Sequence, residues 1–113
     1  MYNEAIWFVT YRRTDKTDEN GDPVLEEVRT GLIFARKRSI GQSEFYQAQT
    51  NGFKPEIKLI IPDHLDYGGQ EYLIHKNMRY KILRTFQNEQ NELEITCYGG
   101  VRDVSAAISD KNQ

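Results

Sequence analysis

The segment Glu92-Leu93-Glu94-Ile95-Thr96-Cys97 decides the fold, because polar and apolar side chains alternate along its whole length. A period of two places the two sets on opposite faces of a β-strand. We therefore predict a strand with one buried face. Its inward residues are Leu93, Ile95 and Cys97, and its outward residues are Glu92, Glu94 and Thr96.

Further strand patterns lie on both sides of chain position 50. Residues rich in β-branched and aromatic side chains, or alternating in polarity, occupy positions 5–12, 24–35, 56–61, 72–75 and 79–86. Gly31 indicates a bulge or bend in the second of these segments. Asn20-Gly21 and Lys76-Asn77 predict tight turns.

Six short strands joined mostly by hairpins indicate an all-β fold, either an antiparallel barrel or a sandwich. We expect a small antiparallel β-barrel of about six strands, because closure removes exposed sheet edges. Its predicted core includes Ile57, Leu59, Ile82, Leu93 and Ile95.

One long polar segment, residues 36–56, separates two of the predicted strands. Loops longer than about 12–15 residues are uncommon in compact domains and often carry function. We call this segment the arm. Within it, Ser43 can cap a short helix over residues 44–51 that Gly52 would end. A helix of this length is marginal in water, so we expect the arm to become ordered only against a partner.

The size of the chain and its composition indicate one domain. The chain has 113 residues and a formal net charge of -2, which argues against nonspecific coating of nucleic acid. Its single cysteine excludes an intrachain disulfide and fits a reducing compartment. No apolar run is long enough for a membrane span, and no export signal is visible. We place the domain at residues 1–100 and a flexible tail at residues 101–113.

An acidic segment near the first turn invites comparison with a calcium loop. With Gly21 in its glycine position, Asp18, Asn20 and Glu27 fall on ligand positions. Lys16 then occupies the first position, where a carboxylate is needed, and the flanking segments are strands. A hairpin loop exposed to solvent is the favoured interpretation.

The other residues that could take part in catalysis or ligand binding are too scattered in the sequence to form a site. His64, His75 and Cys97 do not have the spacing of metal ligands, and a Cys97–His75 dyad would need a thiol that the alternation pattern places in the core. The glycine pairs at 68–69 and 99–100 lack the context of a phosphate-binding loop. We therefore predict no catalytic residue, no cofactor and no metal.

The arm holds the candidate functional residues. It combines a basic cluster, nearby aromatic side chains and uncharged amides, which suits either a nucleic-acid strand or a protein interface. The candidates are Arg36, Lys37, Arg38, Gln42, Ser43, Glu44, Phe45, Tyr46, Gln47, Gln49, Asn51 and Phe53.

Four blocks in order carry a resemblance to a known family. They are Ile6-Trp7-Phe8-Val9-Thr10-Tyr11 ahead of the acidic turn, residues 43–56 of the arm, Tyr72-Leu73-Ile74-His75 with residues 80–85, and the 92–97 strand. Together they resemble the bacteriophage head-tail joining family, also called head-closure or stopper proteins, of phages with long non-contractile tails. The block in the arm is the distinctive one, and residues 103–113 match nothing in the family.

The resemblance implies a β-barrel that assembles as a ring beneath the portal and adaptor proteins of a DNA-filled head. The ring would close the DNA exit channel through its arms and form the docking platform for the tail. Free protein would be monomeric, made in the cytoplasm of the bacterial host, and resident in the virion neck after assembly. Its partners would be portal, adaptor and tail proteins and the packaged DNA, with no membrane.

Two other classes of function compete with this expectation. A small OB-like nucleic-acid-binding barrel would need a basic face crossed by exposed aromatic side chains. The negative net charge and the outward Glu92 and Glu94 count against it. An enzyme ranks third, because the chain offers no nucleophile with a neighbouring base.

Overall fold

A computed structural model describes residues 1–42, 52 and 54–103 of the chain. These residues form seven strands: β1 (Glu4–Thr17), β2 (Pro23–Arg29), β3 (Ile33–Arg38), β4 (Pro55–Ile61), β5 (Tyr72–His75), β6 (Met78–Gln87) and β7 (Leu93–Arg102). A short 3-10 turn, His64–Asp66, lies between β4 and β5. Every strand pairing is antiparallel, so the predicted all-β antiparallel fold is confirmed.

Six of the strands close into a barrel-like ring in the order β1-β3-β4-β7-β6-β5. The ring closes because β5 pairs back onto β1, from Ile6 opposite His75 to Val9 opposite Tyr72. The remaining strand, β2, pairs with the distal half of β1 and lies outside the ring. The prediction of about six strands therefore describes the closed part of the sheet.

The core fills the inside of the ring and follows the predicted alternation. Its buried members are Ile6, Phe8, Ala35, Ile57, Leu59, Ile61, Leu73, Leu93, Ile95 and Cys97. Of the five residues predicted for the core, four are buried and Ile82 packs against them from a partly buried position. The Phe8 ring also meets the edge of the Tyr67 ring, with centroids 5.0 Å apart. Burial of this apolar face is the main stabilising contribution to the sheet.

The segment predicted as one strand over residues 24–35 is two strands, β2 and β3, along the same edge of β1. Val9 faces Arg29 and Ile6 faces Ile33, so an advance of three residues along β1 corresponds to four residues along the chain from β2 to β3. The extra residue is a bulge, and it falls at residues 30–32 beside the predicted site at Gly31. The bend lets β2 leave the ring while β3 stays in it.

The last strand is longer than the pattern indicated. Lys81 faces Tyr98 and Arg79 faces Val101, so another bulge lies at the glycine pair 99–100, with Gly99 at φ 64. β7 continues to Arg102, and Asp103 is 1% exposed. Residues 101–103, which the prediction assigned to the flexible tail, therefore continue the fold, while residues 104–113 of the predicted tail lie outside the described part of the chain.

Two predicted turns have the expected backbone geometry. Lys76 and Asn77 both have positive φ, 50 and 62, as the mirror-image hairpin turn between β5 and β6 requires. Gly21 has φ 82 in the turn between β1 and β2. There Asp18 Oδ1 accepts hydrogen bonds from the N–H groups of Asn20 and Asp22, at 2.9 and 3.0 Å. The acidic segment is therefore a hairpin turn.

A closed cycle of ion pairs fastens β2 to the ring. We call its members, Glu27, Arg29, Arg79 and Asp103, the β2 charge cluster. Asp103 receives Arg29 Nη2 and Arg79 Nη2, each at 3.1 Å, and Glu27 pairs with both arginines, with Arg29 Nε at 2.8 Å. The Arg79 guanidinium also lies 5.5 Å from the centre of the Tyr11 ring. The cluster thus joins β2, β6 and the end of β7 by contacts between residues far apart in sequence.

We expect Asp103→Ala to lower the free energy of unfolding by about 3 kcal/mol, because it leaves two partly buried arginines short of a carboxylate. Urea unfolding of the purified protein measures this. The exposed Asp15, which forms no ion pair within the described residues, gives a matched control, and Asp15→Ala should change the free energy by less than about 0.5 kcal/mol. Equal effects of the two substitutions would contradict the role of the cluster.

Candidate functional site: the base of the arm

The arm leaves the ring between β3 and β4. β3 ends at Arg38 and β4 begins at Pro55, so the connection spans residues 39–54. The prediction that the arm covers residues 36–56 is corrected at both ends, because Arg36 and Arg38 pair with Ile60 and Lys58 of β4. β3 also pairs with β1, and β4 with β7, so both ends of the arm are rooted in strands that have partners on both sides.

Strand geometry divides the basic cluster that the sequence presents as continuous. Ala35 is buried in the core, and Lys37 lies on that same face of β3, at its exposed end. Arg36 and Arg38 lie on the opposite, outer face. The three cations therefore do not form one surface, and each face of β3 carries only part of their charge.

Arg36 is paired with the carboxylate of Glu92, the residue just before β7. Its Nη2 lies 3.4 Å from Glu92 Oε1, and the same carboxylate accepts a hydrogen bond from Asn88 Nδ2 at 2.8 Å and one from the Tyr2 hydroxyl. These hydrogen bonds, that of Tyr2 most strongly, lower the pKa of Glu92 to about 2 from its usual 4.5. The hydrogen bond to Glu92 in turn raises the pKa of Arg36.

Arg38 has a similar partner two residues further along the chain, Glu94 of β7. Arg38 Nη1 lies 3.7 Å from Glu94 Oε2, and Lys58 Nζ lies 3.7 Å from Glu94 Oε1. We call Tyr2, Arg36, Arg38, Lys58, Glu92 and Glu94 together the β3 charge cluster. Its carboxylates hold the outer arginines in place at the root of the arm and offset much of their positive charge.

A cleft of about 310 Å³ lies beside this cluster on the outer face of β4, β7 and β6. It is lined by Lys58, Arg84, Thr85, Phe86, Glu94 and Thr96. Phe86 is 63% exposed, so one aromatic face is open to solvent among polar side chains. Such a mixture is typical of a surface that receives a protein segment, which needs an apolar anchor and hydrogen-bonding groups around it.

The structure places four of the twelve candidate residues. Arg36, Lys37 and Arg38 lie in β3 rather than in the arm, and Gln42 is exposed on the segment that leaves it. The other eight lie outside the described residues, as does the short helix predicted over 44–51. They are Ser43, Glu44, Phe45, Tyr46, Gln47, Gln49, Asn51 and Phe53.

Sequence reasoning missed the partners at this site. Alternation correctly indicated that Glu92 and Glu94 point outward, but not that they meet cations from β3 and β4. Tyr2, which precedes the first predicted strand, gave no signal at all. A search for charges of opposite sign on strands predicted to be neighbours would have found the two glutamates once the strand order was known.

Cys97 and His75 both have structural surroundings within the fold. Burial raises the pKa of the Cys97 thiol to about 12, and its cross-strand neighbours are Ile57 and Ile82. His75 Nε2 lies 3.0 Å from Glu4 Oε1, and this hydrogen bond lowers the pKa of Glu4. Cys97 and His75 therefore each have a different environment, and neither faces the other across paired strands.

Among the residues that the structure describes, no group of three or more His, Cys, Asp or Glu side chains is placed to hold a metal ion. Within the same residues, no helix has the length and apolar character that crossing a membrane requires.

Comparison with known proteins adds no relative. No family model matches the sequence, and no curated protein matches it significantly.

We expect Glu92→Gln to weaken the dependence of stability on pH in the acid range. Because the pKa of Glu92 is about 2 in the folded chain and 4.5 ordinarily, its contribution is present above pH 4.5 and is lost as pH falls towards 2. Thermal unfolding at pH 7, 4.5 and 2.5 measures this in the wild type and in the variant. Glu19→Gln, in the exposed β1–β2 turn, is the matched control. A wild-type slope that survives in Glu92→Gln would contradict the assignment.

Proposed function

We propose that this protein is a structural protein of a phage or prophage neck. Copies of the chain form a ring beneath the portal and adaptor, the arms close the DNA exit channel after packaging, and the ring presents the docking surface for the tail. It is made in the bacterial cytoplasm and ends in the virion. It needs no cofactor, and its work is assembly rather than catalysis.

The observation that carries this proposal is the way the arm is rooted. A connection of residues 39–54 leaves a closed sheet between two strands that are each paired on both sides. The outer arginines at its base form ion pairs with Glu92, just before β7, and with Glu94 of β7. A rigid base with a long polar connection is the arrangement expected of a docking or gating segment, because loops carry function when a scaffold positions them.

The composition of the arm supports the same role. Its amides, Gln42, Gln47, Gln49 and Asn51, can both donate and accept hydrogen bonds without adding charge. In a ring, each arm meets copies of itself, and like charges would repel around the shared axis. Neutral amides can form contacts between arms without that repulsion. The resemblance to the head-tail joining family rests on this segment more than on any other.

The alternative, a nucleic-acid-binding barrel, depends on cations that are free to meet phosphates. Arg36 and Arg38 each face a carboxylate, and Lys37 lies on the other side of the strand. This arrangement offers less positive charge to a phosphate chain than the sequence suggests. It favours a protein partner over a nucleic acid as the primary target of the surface.

We expect that replacing residues 41–52 with a short Gly-Ser linker leaves a folded barrel that still reaches the head. Heads carrying it should lose DNA, and tails should dock poorly, because the closing segment is gone. Nuclease protection of DNA in purified heads measures the loss. An equal-length Gly-Ser replacement is the matched variant, and leakage there would show that side chains are needed as well as length. Heads that retain DNA and accept tails with the short linker would contradict the proposal.

We also expect the purified protein not to bind a single-stranded oligonucleotide at physiological salt, as followed by fluorescence anisotropy. The paired variant Glu92→Gln with Glu94→Gln removes the carboxylates beside Arg36 and Arg38 and should bind more tightly, with an affinity that falls as salt rises. Tight, salt-dependent binding by the wild type would favour the nucleic-acid-binding alternative.

A further inference from the structure

The outer face of β1 carries a second apolar surface, separate from the core. Ile6 and Phe8 point into the ring, so Trp7 and Val9 point outward by alternation. Ile74 of β5 lies directly opposite Trp7 on the same outer face. Val9 is 0% exposed and Ile74 is 2% exposed, although neither belongs to the core inside the ring. These two side chains are therefore covered from the outside.

The β2 charge cluster supplies part of that cover. Arg29 of β2 lies directly opposite Val9, and Arg79 of β6 lies directly opposite Ile74. Asp103 joins the two arginines, since the Nη2 atom of each lies 3.1 Å from one of its carboxylate oxygens. The last described residue of the chain therefore lies over the outer face, beside β1 and β5.

The apolar surface continues beyond this cover. Trp7 is only partly buried, and Leu32 and Phe34 are each 50% exposed. Leu32 and Phe34 flank Ile33, which packs against the core, so both point outward, and Phe34 lies directly opposite Ala5 of β1. Trp7 is the next outward residue after Ala5, so the two aromatic side chains are within reach of each other. We call Trp7, Leu32 and Phe34 the β1–β3 apolar patch.

Residues 104–113 follow Asp103, next to this patch. Ten residues span about 15 Å as a helix and about 33 Å when extended. The far side of the patch, at Phe34, is roughly 14 Å from the outer face above Val9, because four residues along β1 and one strand spacing separate them. The segment is therefore long enough to cross the patch.

The sequence of this segment suits an apolar surface. Ala107 and Ile108 follow Val104 by three and four residues, the spacing that places side chains on one face of a helix. Polar residues, among them Ser105 and Ser109, occupy other positions. Contact between the apolar set and the patch would remove apolar area from water on both sides, which is favourable.

We propose that residues 104–113 bind the β1–β3 apolar patch of their own chain. Val104 and Ile108 supply the apolar contacts, and Trp7 is the part of the patch nearest to the point where the segment begins. In this position the segment shields the patch from association with other apolar surfaces. The inference uses the fold alone and does not depend on the proposed function.

Fluorescence of Trp7 tests the contact, because it is the only tryptophan of the chain. The matched full-length variants are Ile108→Asp, inside the apolar set, and Ser109→Asp, beside it. Emission and acrylamide quenching are measured for each variant, and far-UV circular dichroism checks that the strands are retained. We expect Ile108→Asp to move the emission of Trp7 to longer wavelength and to raise the quenching constant. Ser109→Asp should leave both as in the wild type.

A cross-linking experiment tests the same contact without placing a charge in the apolar set. The double variant Leu32→Cys with Ile108→Cys is treated with a short bis-maleimide at low protein concentration, and the products are separated by mass. We expect the link within one molecule to form faster than in the control pair, Leu65→Cys with Ile108→Cys. The wild type controls for Cys97, whose buried thiol should not react.

The control position is remote from the patch. Leu65 is 76% exposed, and it lies in the 3-10 turn between β4 and β5. The N–H of His64 in this turn donates to the carbonyl of Asn91 at 3.1 Å, just before β7 begins. Leu65 is therefore at the opposite end of β7 from Asp103, and its rate of cross-linking measures random contacts of residue 108.

Several results would overturn the proposal. An unchanged Trp7 signal in Ile108→Asp would mean that the segment does not cover the patch, in agreement with the flexible tail expected from the sequence. Equal changes in the two Asp variants would also contradict a specific contact. If Ile108→Asp does not fold, the cross-linking rates decide, and equal rates in the two Cys pairs overturn the contact.

The same measurements separate a contact within one chain from a contact between copies. Cross-linked dimer in place of the product within one molecule, or a Trp7 signal that changes on dilution, would assign the patch to the segment of another copy and overturn the proposal. None of these experiments involves phage heads, so their failure would leave the proposed function standing.

Discussion

The fold depends on the double pairing of β1. Along one edge β1 pairs with β3 and β2, and along the other it pairs with β5, so this single strand closes the ring and also carries the hairpin outside it. Ile6 and Phe8 must face the core for either pairing to hold. A slip of one residue in β1 would turn that apolar face to solvent along both edges at once. The register of β1 is therefore more strongly specified than that of a strand with one neighbour.

The charged side chains on the outside of the ring form two clusters with different structural roles. The β2 charge cluster ties a strand outside the ring to the end of the chain's last strand, around the buried carboxylate of Asp103. The β3 charge cluster fixes the base of the arm through Glu92 and Glu94. Both use arginine, whose planar guanidinium can meet two acceptors at once. Arginines that the composition alone would suggest for binding a partner therefore form ion pairs within the chain. For this reason the net charge of the chain is a poor guide to the charge of its surface.

Alternation of polar and apolar residues correctly predicted the strands that have one apolar face. It failed for strand segments without that alternation. The core faces of β4 and β7 were predicted correctly, because Ile57 and Leu59 flank Lys58, and Leu93 and Ile95 flank Glu94, in the sequence. The predicted strand ended at residue 35 because Arg36, Lys37 and Arg38 are consecutive cations. In the structure these residues pair with β4, and the side chains of Arg36 and Arg38 form ion pairs with Glu92 and Glu94. The glycine pair at residues 99–100 suggested the end of the last strand, but it forms a bulge within that strand. The partners at the arm base are separated by 56 residues in the case of Arg36 and Glu92, a distance over which local pattern carries no information.

If copies of this chain assemble as proposed, a paired base and an arm poor in apolar side chains would make contacts between arms depend on that assembly. Ordering a residue costs roughly 1–2 kcal/mol of backbone entropy, and a polar segment in one chain buries too little to offset that cost. Because both ends of the arm lie in paired strands, the proposed ring would hold all arm bases in one geometry. Contacts between neighbouring arms would then form together, and the entropic cost per contact would fall because the bases would not have to be brought together. An arm of this composition would therefore respond to the number of copies assembled, which separates a closing segment from a loop that binds a ligand in a single chain.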